Sequence, residues 1–171
     1  MSASSGRLWF ASHSEEDTRR FAQQLAAHTP RGTTIALQGP LGAGKTRLVQ
    51  AVAEASGVDR RDVVSPTFVF IHEYQGRRPI YHIDAYRLKD DDEFLELGPD
   101  EYFEGDGITL VEWADRVERC MPPERLDVEI QIDSESARTF LLRSHGSKYD
   151  IVIQTLRQMN LKKSSKTTSE R

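Results

Sequence analysis

Residues 39–46 read GPLGAGKT, and this octapeptide decides the fold of the chain. It fits the pattern G-x-x-x-x-G-K-[ST] at every fixed position, which is typical of a loop whose backbone N–H groups surround nucleotide phosphates. Glycine permits the close approach because it carries no Cβ. In such a loop Lys45 reaches the phosphates and the Thr46 hydroxyl binds Mg²⁺. Nucleotide contacts are therefore predicted for Gly39, Leu41, Gly42, Ala43, Gly44, Lys45, Thr46 and Arg47.

The residues on either side of the loop support this interpretation. Residues 33–37 (TTIAL) precede it and are typical of a buried strand. After the loop, apolar residues recur at helical spacing until Gly57, which is a plausible helix stop. Strand, glycine loop and helix is the expected arrangement for phosphate binding. It also directs the N-terminus of the helix at the phosphates.

The rest of the chain alternates between predicted strands and helices. Ser14 is typical of an N-cap, and the acidic residues 90–93 favour a short helix, since negative charge suits the first turn. Strands are predicted near 8–10, 67–74, 80–86, 107–113, 126–132 and 138–144, the second and third of these as a hairpin. The pattern predicts an α/β fold: a single P-loop NTPase domain over residues 1–161, with a mixed sheet and helices on its faces. Residues 162–171 are polar and basic without periodicity, which predicts a disordered tail.

Composition limits the function classes. The chain has 171 residues, which suits one domain. A net charge of −4 argues against free-standing, non-specific binding to nucleic acid, which needs a basic face. Cys120 is the only cysteine, so no intrachain disulfide is possible. The sequence has no apolar run of membrane-spanning length and no apolar signal region, so a cytoplasmic protein is expected.

Phosphoryl chemistry needs a second oxygen ligand for Mg²⁺, and two carboxylates compete for this role. Glu112 follows the apolar residues 108–111 and so lies at the carboxyl end of a buried strand, where ligands bind in open α/β sheets. The usual residue there is Asp, and the longer Glu112 side chain can bind the metal directly, bind it through water, or act as a base. Asp84 shares one predicted strand face with His82 and Tyr86. For His82, a structural role is as plausible as a catalytic one.

Two further stretches are functional candidates. Ser65 and Thr67 lie in an SPTF segment, where Pro66 restricts Ser65 to extended conformations. Their hydroxyls could sense the γ-phosphate as switch loops do, although an ordinary strand entry is the alternative. Trp113 directly follows Glu112 and is either a core residue or a wall of the nucleotide pocket.

GPLGAGKT, SPTF, HIDAYRL and LVEWADR, in this order and spacing, resemble the bacterial tRNA threonylcarbamoyladenosine biosynthesis family TsaE, also called YjeE. The resemblance covers roughly residues 14–144. It implies a small ATPase that supports threonylcarbamoyl transfer to tRNA together with a TsaD transferase and a TsaB platform subunit. On this resemblance tRNA is engaged only through the complex, and no membrane is involved.

The resemblance also implies roles for particular residues. Lys45, Asp84 and Glu112 are implied as catalytic, with ATP as the nucleotide. Thr46 and Glu112 are implied as Mg²⁺ contacts, Thr67 as part of a switch-like segment and Trp113 as a functional candidate. Glu15 and Arg138 are expected near the adenine.

Three rival functions are weighed from the residues alone. A GTPase usually carries an N-K-x-D motif for guanine, and the only asparagine here is Asn160, within NLKK, which nearly removes this rival. A small-molecule or nucleotide kinase would need an acceptor site and usually an arginine-bearing lid, and Arg77 and Arg78 could supply the charge. A binding module with negligible turnover is the third. Slow hydrolysis by the isolated chain is expected because no arginine is obviously placed to stabilise the transition state, a residue worth about 10³–10⁵ in rate.

Overall fold

The computed structural model describes residues 6–64 and 69–167, with side chains described up to residue 160. Within these ranges seven strands form one sheet. The strands are β1 (Arg7–Ser12), β2 (Thr33–Gln38), β3 (Ile71–Gln75), β4 (Pro79–Asp84), β5 (Ile108–Glu112), β6 (Arg125–Ile132) and β7 (Arg138–His145). The α-helices are α1 (Glu15–His28), α2 (Lys45–Ala55), α3 (Asp91–Glu96), α4 (Pro99–Phe103) and α5 (Ser147–Thr167). Two 3₁₀ segments, Arg60–Asp62 and Ala114–Cys120, complete the described structure, and the second is kinked at Val117.

The sheet is mixed, as the sequence predicts, and its strand order is β1-β7-β6-β2-β5-β4-β3. The four inner strands β6, β2, β5 and β4 run parallel. At one edge β1 and β7 add antiparallel, and at the other edge β3 and β4 form the predicted hairpin. The parallel centre places the carboxyl ends of β2, β4 and β5 side by side, at the edge of the sheet where β2 leads into the glycine loop.

Two hydrophobic cores cover the two faces of the sheet. On one face α1, α2 and α5 pack against residues such as Ile35 and Leu37 of β2. On the other face α3 and the 3₁₀ helix Ala114–Cys120 pack against Ala36 and Val111. The alternation of successive residues between the faces places Leu37 and Ala36 in different cores. Helices on both faces confirm the predicted layering.

Helix α1 begins where the sequence predicts. The Ser14 hydroxyl accepts a hydrogen bond from the N–H of Asp17 at 3.1 Å, and Asp17 in turn accepts from the N–H of His13 at 3.0 Å. The first of these bonds pairs an N–H group that the first helical turn leaves free, and the second ties the residue before the cap to the helix. Together they fix the first turn of α1, and with it Glu15, beside the glycine loop.

Two predicted boundaries differ from the structure. The strand expected over 67–74 begins at Ile71 instead, and its predicted start lies partly in residues 65–68, outside the described residues. Helix α5 continues to Thr167, six residues into the segment expected to be a disordered tail. Extending an existing helix is much easier than starting one, and lysine is a good helix former, so the loss of apolar periodicity does not end the helix.

Candidate functional site

The glycine loop lies between β2 and α2 and presents an open surface. Gly44 is the N-cap of α2 and adopts a left-handed conformation with φ of 102°. A Cβ added at Gly42 or Gly44 would meet nothing within 4 Å, whereas one at Gly39 would lie 2.6 Å from the carbonyl oxygen of Ile130. The start of the loop is therefore packed tightly against β6, while its later glycines leave room at the N-terminus of α2. Backbone N–H groups at such a terminus attract anions.

Lys45 is held within this loop. Its Nζ atom donates to the carbonyl oxygens of Gly39 at 2.7 Å and Pro40 at 3.0 Å. The same ammonium lies 3.6 Å from the centroid of the Trp113 ring, a cation–π contact. Burial lowers the pKa of Lys45, and the nearby Glu112 carboxylate opposes that shift. The loop thus fixes a cation next to the open glycine surface.

Trp113 has an unusual backbone for a tryptophan. With φ of 58° and ψ of 38°, it is the single non-glycine residue with positive φ in the described parts of the chain. Such a conformation costs about 1–3 kcal/mol and persists only where the surroundings enforce it. Here the ring packs against Tyr86, with centroids 4.8 Å apart, and against the Lys45 ammonium. The left-handed turn after β5 is what aims the indole at the glycine loop.

Glu112 lies directly below the loop. In the sheet register Leu37 of β2 pairs with Glu112 of β5, which pairs with Asp84 of β4. The Glu112 side chain is buried, and its two carboxylate oxygens lie 2.9 and 3.0 Å from the Thr46 hydroxyl. On its other side Oε1 lies 2.7 Å from Nε2 of His82. The structure therefore brings together the two side chains that the sequence singles out for Mg²⁺.

Asp84 lies next to Glu112 and has a different environment. It is half-buried at the end of β4, and its Oδ1 accepts the N–H of Tyr86 at 2.9 Å. Burial raises the pKa of Asp84 above its usual value, and the Glu112 charge adds to the rise. Tyr86 lies beyond the end of β4, so the three-residue polar face predicted from strand alternation stops at Asp84.

The donor set fits a hard cation that is shared with a ligand. A hydroxyl and a carboxylate are oxygen donors of the kind that Mg²⁺ prefers, and Mg²⁺ usually keeps waters and phosphates in addition to one or two protein ligands. Among the described residues, no group of three or more His, Cys, Asp and Glu side chains forms a cage for a metal. Thr46 and Glu112 are thus the residues that would hold the ion, together with phosphate oxygens.

A cleft of about 550 Å³ opens beside the loop, between the start of α1 and the start of β7. Glu15 and Arg47 line it and form an ion pair that joins α1 to α2. Arg138 lines the opposite wall and donates from Nε to the carbonyl oxygen of Ala43 at 3.0 Å. Glu15, Arg47 and Arg138 therefore converge on one cleft, which adjoins the glycine loop.

Other residues of the site depend on contacts that the sequence does not predict. His82 on β4 contacts Glu112 on the adjacent strand β5, and Arg138 contacts Ala43 of the glycine loop, 95 positions earlier in the chain. No local sequence motif predicts either contact. Leu41, at the tip of the loop, is 76% exposed. Ser65 and Thr67 lie outside the described residues.

Known proteins resemble this chain over most of its length. The family model for "Threonylcarbamoyl adenosine biosynthesis protein TsaE" matches residues 12–140. The tRNA threonylcarbamoyladenosine biosynthesis protein TsaE of Bacillus subtilis is 41% identical over 142 residues, which is 82% of this chain and 88% of the relative. The Synechocystis protein of the same name is 47% identical over 105 residues, covering 58% of this chain and 66% of the relative.

A solved structure gives the same result. The crystal structure of YdiB from Bacillus subtilis superposes with a TM-score of 0.75 at 33% identity, covering 90% of this chain and 96% of that one. In the described part of the molecule no helix has the length and apolar character to cross a membrane. The family match spans the loop, Glu112 and Arg138 alike. The chain belongs to the TsaE family of threonylcarbamoyladenosine biosynthesis proteins.

Proposed function

We propose that this protein is an ATP-binding, slowly hydrolysing accessory of tRNA threonylcarbamoyladenosine modification. The observation that carries the proposal is the contact of the Thr46 hydroxyl with both Glu112 oxygens at 2.9 and 3.0 Å, directly beside the glycine loop. A loop for phosphates and a donor pair for Mg²⁺ then occupy one site, which a nucleotide with its metal requires. Membership of the TsaE family supplies the pathway.

Each residue has a role in this scheme. The loop N–H groups and the Lys45 ammonium hold the phosphates, and Thr46 and Glu112 hold Mg²⁺. When bound, Mg²⁺ neutralises charge that develops on the phosphates. Asp84 is the candidate base for the attacking water, because its raised pKa brings it closer to the operating pH, where a general base is most effective. Trp113 forms the wall of the pocket against Lys45.

ATP is the nucleotide that the residues favour. A guanine site would use an N-K-x-D motif, and the sole asparagine is Asn160. The cleft lined by Glu15 and Arg138 adjoins the loop and is the proposed position of the adenine. Its volume of about 550 Å³ suits a small organic group.

Hydrolysis by the isolated chain is expected to be slow. Arg47 is paired with Glu15, and Arg138 is engaged with the backbone carbonyl oxygens of Gly42 and Ala43, so neither arginine is directed at the Lys45 side of the site. A TsaD-like transferase and a TsaB-like platform subunit are the proposed partners, and tRNA is reached only through that complex. This role belongs in the cytoplasm, where tRNA is modified.

Reconstitution with those partners tests the proposal. Phosphate release from ATP is measured for the chain alone, with the TsaD-like and TsaB-like proteins, and with candidate small-molecule acceptors. We expect slow release alone, faster release in the complex, and tRNA modification that requires ATP. Transfer of phosphate to an acceptor without matching release would identify a kinase instead. Modification at full rate without this chain would also refute the proposal.

A further inference from the structure

A buried histidine lies behind Glu112, and the roles assigned above do not use it. His82 is 0% exposed in strand β4. Its Nε2 atom lies 2.7 Å from Oε1 of Glu112. Its Nδ1 atom is buried and has no hydrogen-bond partner within the described residues. The ring therefore makes its one described hydrogen bond to Glu112.

Packing alone does not account for a histidine at this position. A buried polar atom left without a partner is unfavourable, because it gives up its hydrogen bonds to water and gains none in the protein. Ile80 lies two residues earlier on the same strand face, and Leu110 is the register partner of His82 on β5, and both are fully buried. An apolar side chain here would avoid the cost of the unpaired Nδ1. What a histidine adds at this point is the contact to Glu112.

The direction of that contact follows from the chemistry of the two groups. An ionised carboxylate only accepts hydrogen bonds, so Nε2 of His82 carries the hydrogen and donates it to Glu112. The Thr46 hydroxyl lies within hydrogen-bonding distance of both Glu112 oxygens. Glu112 is 3% exposed, so bulk water cannot readily replace either donor. The carboxylate is thus held between donors from two elements, β4 and α2.

We propose that His82 is a positioning residue that fixes the Glu112 carboxylate and thereby sets how tightly the site takes a divalent cation together with a nucleotide. The inference rests on the proposed function, in which Glu112 is a metal ligand. Groups that hydrogen-bond a metal-binding carboxylate orient it, and their loss typically lowers metal affinity about 10–100-fold. Binding of a nucleotide without metal depends on the glycine loop and Lys45, which His82 does not contact.

Two substitutions separate positioning from packing. His82→Gln retains a side-chain N–H that can reach Glu112, whereas His82→Leu fills the core without any donor. His72 offers a matched control, because it is the register partner of His82 on the adjacent strand β3 and is half-buried. Its ring stacks on Tyr74, so His72→Leu removes a neighbouring imidazole only.

Binding of a fluorescent ATP analogue is titrated with MgCl₂ and repeated in EDTA, and thermal melting reports folding. We expect His82→Leu to raise the Mg²⁺ concentration for half-maximal binding by about 10-fold or more, with binding in EDTA unchanged. His82→Gln and His72→Leu should stay close to wild type. An unchanged Mg²⁺ requirement in a folded His82→Leu protein would overturn the proposal, as would a His82→Gln protein impaired to the same extent.

A measurement without nucleotide keeps the inference independent of the folding of the His82 variants. Nitrogen NMR of the wild-type protein should show the hydrogen of the His82 ring on Nε2, with a resonance that shifts in Glu112→Gln. A ring with its hydrogen on Nδ1 alone would refute the contact. A wild-type protein that binds ATP without any effect of Mg²⁺ would count against the proposed function, and this NMR measurement would still decide whether His82 orients Glu112.

Discussion

Arg138 connects the end of the sheet to the glycine loop, and replacing it with methionine should weaken ATP binding. Its guanidinium donates from Nε to Ala43 O at 3.0 Å and from Nη2 to Gly42 O at 3.3 Å. From Nη1 it donates to Ser134 O at 2.7 Å and Ala137 O at 2.9 Å in the turn before β7. One side chain therefore ties two stretches of irregular backbone together. Methionine retains the aliphatic stem and removes all of these donors.

The magnitude follows from the two bonds to the loop. Hydrogen bonds from a charged donor contribute about 1.5–3 kcal/mol each when well buried, and the half-exposed Arg138 side chain places them nearer to about 1 kcal/mol each. Without these two bonds, ATP has to order the loop when it binds. The free energy of binding is then less favourable by what the two bonds contribute. About 2 kcal/mol corresponds to an ATP affinity that is about 30-fold weaker.

Calorimetric titration of ATP against Arg138→Met and Arg143→Met measures the effect. Arg143 lies on the same strand β7 and pairs with Glu129 of β6 at 2.8 Å, whereas Arg138 donates to the loop backbone. Arg143 therefore controls for the loss of one arginine from this strand. Arg138→Met is expected to bind ATP about 30-fold more weakly than Arg143→Met does. Equal affinities for the two folded variants would refute the view that Arg138 orders the loop.

Three further substitutions test other parts of the structure. Lys45→Ala should abolish detectable ATP binding, read by an ATP analogue, while circular dichroism stays unchanged, because alanine suits a helix start and no longer buries an ammonium. Burial raises the pKa of Asp84 above 3.8, so the folded chain binds the carboxyl proton more tightly than the unfolded chain does. The free energy of unfolding therefore falls as the pH rises from 3.8 through the raised pKa of the folded chain. Asp84→Asn should slow hydrolysis, because it removes the proposed base. It should also melt at a higher temperature than wild type at neutral pH and lose that advantage in acid. A lower melting temperature at neutral pH would contradict the buried, charged Asp84. Phe140→Ala should lower the free energy of unfolding by about 3–5 kcal/mol in urea titrations, since the ring is 1% exposed and stacks on Phe21 at 5.2 Å, and a loss below about 1 kcal/mol would show that the core readily collapses there.

Features that depend on local pattern could be predicted from the sequence. The glycine loop, the Ser14 cap and the position of Glu112 at a strand end each follow from residues within one short window. The short helix α4 (Pro99–Phe103) and the 3₁₀ helix Ala114–Cys120 could not, because neither is long enough for a helical period to emerge. The helical backbone beyond residue 161 is not predicted either, because a helix can extend without the apolar face that would reveal it in the sequence.

Features that depend on register between distant segments required the structure. His82 contacts Glu112 because β4 and β5 are parallel neighbours in the sheet, with Asp84 opposite Glu112. Neither strand's own residues predict which strand will be its neighbour. The left-handed backbone conformation of Trp113 cannot be predicted from the sequence either, since tryptophan rarely adopts positive φ. A turn of that kind is expected to carry glycine or asparagine, so the sequence favours the opposite conclusion.

The same register explains why β5 ends in a glutamate where an aspartate is more usual. Glu112 meets the Thr46 hydroxyl on α2 and the His82 ring on β4 with the same carboxylate, at 2.9 and 2.7 Å. These partners belong to different layers of the fold, because Thr46 lies in the helical layer and His82 lies in the sheet. An aspartate at this position would be one methylene shorter and could not keep both contacts without a backbone shift. The longer side chain spans that distance, and Glu112 is thereby committed to these two contacts, which is why the proposed role of base is given to the half-buried Asp84.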